Sequence, residues 1–182
     1  SFILIDKKGL LVNRPVFHVD VPLREMTFAD FMEQAVNGGA IPPLQLSKPS
    51  GDEIERAMVG KQAPAFSLKG INGEGFEFSG KPARKLVVAF WHPDSRICEA
   101  PMKQFQEFVR EKAQVYNFDA VSIASLYGDS QLRSARAFAD DNSLAFPILA
   151  DHGSKVGGLY NIRNIPTVYV VGEDGAIFEI VT

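Results

Sequence analysis

The sequence predicts an α/β protein built on a central mixed sheet flanked by helices. Three observations carry that prediction. Lys85-Leu86-Val87-Val88-Ala89-Phe90-Trp91 is almost wholly apolar, the pattern of a strand covered on both faces. From Gly60 onward, strand-like runs alternate with stretches of helical periodicity, which predicts a mostly parallel sheet with right-handed crossovers. The chain closes on two apolar runs around Gly172-Glu173-Asp174-Gly175, a hairpin turn that adds antiparallel strands.

The elements follow in order. Gly60 to Leu68 is a loop entering a short strand, and Phe76-Glu77-Phe78-Ser79 alternates as its hairpin partner across Gly73-Glu74-Gly75. After the apolar strand 85–91, Ile97, Pro101, Met102, Phe105, Phe108 and Val109 recur at helical spacing. Ala120 to Ala124 is a second central strand, and Leu132, Ala135, Phe138 and Ala139 mark a second helix. Phe146 to Leu149 reads as a short strand and Gly153 to Tyr160 as a short helix. Pro166 to Val171 and Ala176 to Ile180 form the closing hairpin.

Residues 1–40 stand apart as a strand–turn–strand–helix extension. Phe2 to Ile5, an Asp/Gly turn and Leu10 to Val12 repeat the pattern of the closing hairpin, with Gly9 matching Gly175. Thr27 can cap a helix carrying Phe28, Phe31, Met32 and Val36. This segment has the pattern of the tail of a similar domain. Residues 41–56, with Pro42-Pro43 and Lys48-Pro49-Ser50-Gly51, read as a linker, and 57–182 as the main domain. Such a domain needs one further helix over its sheet, and residues 27–37 are a candidate for that cover.

Bulk properties exclude several classes. Of 182 residues, 46% are hydrophobic and 23% charged, with a net charge of −3. No basic footprint argues for nucleic acid. No apolar run reaches the roughly 18 residues of a membrane-spanning helix. A single cysteine, Cys98, rules out an internal disulfide and a Cys-rich zinc site.

Residues 88–98 hold the densest information: the strand end Val88-Ala89-Phe90-Trp91, a polar turn, then Ser95-x-x-Cys98 at a helix start. With Gly60-x-x-Ala63-Pro64-x-Phe66-x-Leu68 and Asn164-Ile165-Pro166-Thr167, these residues resemble the redoxin branch of the thioredoxin superfamily. Within it, the likeness is to TlpA-like and ResA-like thiol–disulfide oxidoreductases, over about 57–182. The resemblance implies a thioredoxin-like fold and exchange of disulfides with protein partners, with a reductant protein supplying electrons. It implies no cofactor, no metal and an extracytoplasmic, periplasmic location, while a cytoplasmic one stays open. It also implies that Ser95 holds the place of the attacking cysteine and Cys98 that of the resolving one. Pro166 matches a cis-proline bordering the substrate groove, with Trp91, Ile165 and Thr167 beside it.

The chain departs from that pattern. Asp94 stands where the family has a tryptophan, and Pro101 falls three residues after Cys98 rather than five. A negative Asp94 beside a thiolate raises a cysteine pKa. A peroxiredoxin also keeps a Ser or Thr three residues before its cysteine, but its proline seven before is Trp91 here. Ser95 suits a helix N-cap accepting from the Cys98 amide region. Cys98 in the first turn is either a thiolate favoured by the helix dipole or a small buried hydrophobe. His92 and His152 with Cys98 are a weak match to a Sco-type copper site, which needs two cysteines.

Disulfide exchange needs a thiolate that attacks sulfur and later leaves, and a serine hydroxyl does neither. The primary expectation is therefore a thiol–disulfide oxidoreductase of thioredoxin type that is inactive in two-cysteine turnover as this chain stands. A cysteine changed by design, a natural loss and a replaced selenocysteine all fit a serine at 95. Two alternatives come from other classes: a redox-inactive binding module using the Pro166 groove, and a one-cysteine peroxidase acting through Cys98.

Overall fold

A computed structural model describes residues 4–5, 11–12 and 52–182. Strands β1 (Leu4–Ile5) and β2 (Leu11–Val12) pair antiparallel, and β1 runs near the last strand of the domain. The helix expected over 27–37 lies outside the described residues. The stretch read as a linker contains a short helix, α1 (Asp52–Arg56).

The main sheet is laid down by β3 (Phe66–Gly70), β4 (Gly75–Phe78), β5 (Lys85–Trp91), β6 (Phe118–Leu126), β7 (Ile148–His152), β8 (Thr167–Val171) and β9 (Ile177–Val181). Helices α2 (Arg96–Lys112), α3 (Asp129–Asn142) and α4 (Lys155–Leu159) connect them. The strand order is β4-β3-β7-β6-β5-β8-β9. Only β5, β6 and β7 run parallel; the other four pairings are antiparallel. The sheet is therefore mixed, and the expectation of a mostly parallel one is corrected. The reason lies after β7. Its connection holds only the five-residue α4 and carries the chain past β6 and β5, so β8 returns on the far side of β5 in the opposite direction.

Alternation along β5 divides the core in two. Val87, Ala89 and Trp91 face α2 and α3, where they meet Met102, Phe105, Phe108, Val109 and Ala135. Leu86, Val88 and Phe90 face the other side, with Met58, Val121, Ile123, Tyr160 and Tyr169. This is the uniformly apolar strand the sequence predicts, buried on both faces. Each large side chain buried here contributes about 1.5–3 kcal/mol relative to exposure.

Helix α2 buries Met102, Phe105, Phe108 and Val109 as the sequence reading has them and departs from it at Ile97. Its buried face starts at Cys98 and continues through Met102, Phe105 and Val109, whereas Ile97 is 68% exposed. The helix begins at Arg96 with Ser95 in the extended conformation of an N-cap. That start turns the 98–102–105–109 stripe inward and Ile97 outward.

Candidate functional site

The site forms where β5 ends. The C-terminal ends of β5, β6 and β7 lie on one side of the sheet, the usual place for chemistry in open α/β sheets. A tight turn follows Trp91, closed by the Ser95 N–H donating to the His92 carbonyl at 3.0 Å. The Asp94 N–H donates to His92 Nδ1 at 3.2 Å, and the Asp94 carboxylate accepts from Gln131 of α3 at 3.0 Å. The His92 ring lies against the exposed Tyr127 ring at 6.2 Å, and the Tyr127 hydroxyl meets that of Ser154 at 2.8 Å. Loops after β5, β6 and β7 are thus tied together around Ser95.

Ser95 sits at the N-cap, but its hydroxyl makes no capping bond. The Cys98 N–H donates instead to the Ser95 carbonyl at 2.9 Å, and the nearby Ser95 side chain favours the ionised form of the Cys98 thiol. The expected side-chain cap is corrected accordingly: the Cys98 amide is taken by the Ser95 carbonyl. Positions 95 and 98 are therefore joined across the first helical turn, where a Cys-x-x-Cys pair would stand.

Cys98 is wholly buried. Burial pushes its thiol pKa up, while hydrogen bonds from the His92 main chain and the Ser95 hydroxyl pull less strongly the other way. The helix dipole does not make it a thiolate, because removal from water disfavours the charged form more. Asp94 is not among the causes of the rise. A one-cysteine peroxidase needs an accessible, low-pKa thiolate, and Cys98 offers neither.

The Ile165–Pro166 peptide bond is cis. Phe90 pairs with Thr167 across β5 and β8, so Pro166 lies beside the end of β5, where the Ser95 turn begins. Ile165 and Pro166 are half-buried, while Thr167 is buried and donates its hydroxyl to the Asn164 carbonyl at 2.8 Å. Trp91 is 1% exposed, with its ring 4.9 Å from Phe138. It forms a wall beneath the site, and Trp91 and Thr167, both expected beside the substrate groove, are buried. Ile165 and Pro166 remain at the surface edge.

Glu55 is a participant that sequence reasoning missed. Its carboxylate is fully buried and accepts the N–H groups of Arg163 at 2.5 Å and Asn164 at 2.9 Å, just before the cis-proline. Asp151, also buried, holds the Val156 and Gly157 amides at the start of α4.

Among the described residues no group of three or more His, Cys, Asp or Glu side chains is arranged to hold a metal, so His92, Cys98 and His152 do not converge. A cavity of about 580 Å³ lies at the opposite end of the sheet, between the β3–β4 hairpin and α3. None of the residues around Ser95 lines it.

Comparison with known proteins agrees with this geometry. Residues 59–180 match the AhpC/TSA family. The thioredoxin-like protein YneN of Bacillus subtilis is 33% identical over 121 residues, covering 66% of this chain and 69% of that protein. The thiol-disulfide oxidoreductase ResA of Bacillus cereus is 26% identical over 125 residues, 69% of this chain and 70% of its own. Among solved structures, a secreted Mycobacterium tuberculosis disulfide oxidoreductase superposes with a TM-score of 0.56 at 20% identity, covering 64% of this chain and 81% of that one. StoA from Bacillus subtilis gives 0.53 at 25% identity, over 65% and 87%. The fold is thioredoxin-like, and the chain belongs to the AhpC/TSA family, in the redoxin branch of the thioredoxin superfamily.

Proposed function

We propose, on the premise of that family membership, that the chain is a thiol–disulfide oxidoreductase of thioredoxin type whose attacking-cysteine position is Ser95. As it stands it engages protein thiols and disulfides at the Pro166 edge without completing two-cysteine turnover. The observation that carries this reading is the placement of Ser95 at the N-cap and Cys98 in the first turn of one helix at the end of β5, beside cis-Pro166. A second sulfur at 95 has its partner already in reach, and the S–S bond needs only about 2.05 Å. Without it, the hydroxyl neither attacks a disulfide nor leaves as a thiolate.

In a restored site the two thiols would give two electrons and two protons to the partner disulfide, closing a 95–98 bond and releasing two partner thiols. A separate reductant protein would reopen it. No helix among the described residues is long and apolar enough to cross a membrane. The ResA-type relationship favours an extracytoplasmic setting, which cell fractionation checks. The decisive experiment is Ser95→Cys. Equilibration with oxidised glutathione should close a 95–98 disulfide, seen as loss of two free thiols and 2 Da of mass, and the reduced protein should then reduce insulin. A folded Ser95→Cys protein that keeps both thiols free under those conditions overturns the reading.

A further inference from the structure

We infer that Glu55 is a positioning residue for the substrate edge: it fixes the loop that carries Pro166 from outside the family-matched part of the chain. The inference deepens the function proposed above and rests on that reading for its consequence in substrate binding.

Residues 161–166 have no regular ladder of their own. Asn161 is in the left-handed region at φ 55, and the chain must reach β8 through a stretch of irregular backbone. Backbone amides in such a loop are met by water or by side-chain acceptors. Glu55 supplies one acceptor to two of them, Arg163 and Asn164. The Asn164 carbonyl is taken in turn by the Thr167 hydroxyl. Asn164 is thus gripped at its N–H from α1 and at its C=O from β8, and the Ile165–Pro166 peptide lies between those grips.

The acceptor of this clamp is far away in sequence. The residue separations are 108 and 109, and Glu55 precedes residue 59, where the family match begins. A second contact joins the same two segments, the Asn161 side-chain amide donating to Met58 Sδ at 3.2 Å. The Gly60 N–H bonds the Ile177 carbonyl and the Ile177 N–H bonds that of Lys61, anchoring the chain after α1 to β9. A buried carboxylate is a costly way to satisfy two amides unless their placement matters, because removing its charge from water must be offset by those bonds. The glutamate is long enough to reach both amides, and a glutamine oxygen in its place accepts from both as well.

Two measurements test the clamp. In the protein with Ser95, amide hydrogen exchange at Arg163 and Asn164 should accelerate about tenfold or more in Glu55→Leu, with β5 and β6 amides unchanged, since the opening is local. Glu55→Gln should restore parental protection. If Glu55→Leu does not fold, Glu55→Asp, one methylene short of both amides, takes its place. In the Ser95→Cys background, the same substitution should raise KM for insulin about fivefold while kcat stays within about twofold, the pattern of lost substrate positioning; Gln should again rescue. Unchanged exchange at both amides overturns the clamp. Faster exchange with an unchanged KM overturns its role in substrate positioning. A Ser95→Cys protein that forms no disulfide overturns the proposed function alone, and the exchange data still decide whether Glu55 holds the loop.

Discussion

Raising the pH past 10 ionises tyrosines in the unfolded chain before it ionises Tyr160 and Tyr169 in the folded one. Both side chains are wholly buried. Burial lifts the Tyr160 phenol well above the ordinary range; for Tyr169 burial acts first, then the charges of Glu55 and Tyr160. The folded pKa values therefore exceed the unfolded ones. Below pH 10 the two states hold the same phenol protons and nothing is lost. Above it, the unfolded chain releases protons that the folded chain keeps, so stability falls as pH rises. From an unfolded value near 10, each tyrosine costs about 1.4 kcal/mol at pH 11, about 3 kcal/mol for the two. That is a substantial part of the roughly 5–15 kcal/mol holding a typical domain together. Urea unfolding at pH 8.5 and pH 11 measures the loss, and Tyr169→Phe isolates one share of it. That variant forgoes the hydrogen bond from the Tyr169 hydroxyl to the Tyr160 carbonyl, a fixed cost of about 1–2 kcal/mol at both pH values. Its additional loss between pH 8.5 and 11 should be smaller than the parent's by about 1.4 kcal/mol. A Tyr169→Phe protein that loses as much as the parent over that interval refutes the reasoning.

Two further outcomes test the site and its helix. Ser95→Ala removes a donor that stabilises the Cys98 thiolate, so the thiol pKa rises further and alkylation of the native protein by iodoacetamide at pH 9 slows; a rate equal to the parent's contradicts the Ser95–Cys98 bond. Ile97→Ser should change the denaturation midpoint by no more than about 0.5 kcal/mol in stability because the side chain faces water. Met102→Ala, one helical turn on and buried, should cost about 2–5 kcal/mol. Equal effects at 97 and 102 would put Ile97 back on the buried face, as read from the sequence.

The comparison of those two residues shows what local pattern conveys. Strand β5 was legible because six residues in a row, Leu86 to Trp91, face a core, and the β3–β4 hairpin because Gly73 and the alternation around it leave few other pairings. The first turn of α2 was not, since Ile97 and Cys98 are both apolar and only the helix start, fixed by Ser95, decides which turns inward. The direction of β8 was hidden for a similar reason: nothing in an apolar strand records which neighbour it will meet. At the site, the Ser95–Cys98 spacing and the Ile165-Pro166 pair were readable as a motif. Glu55 was not, because Asp52-Glu53-Ile54-Glu55-Arg56 looks like a solvated charge run, and its partners are more than a hundred residues away.

On the proposed reading, a thiol at 98 without a second at 95 leaves the chain no internal dithiol to oxidise. Its fold is accordingly indifferent to the glutathione poise around it, since no internal couple exists for that poise to act on. Occupancy of the Pro166 edge would follow partner concentration and affinity alone. Where a working oxidoreductase reports the redox state of its compartment, this one would report only how much partner is present.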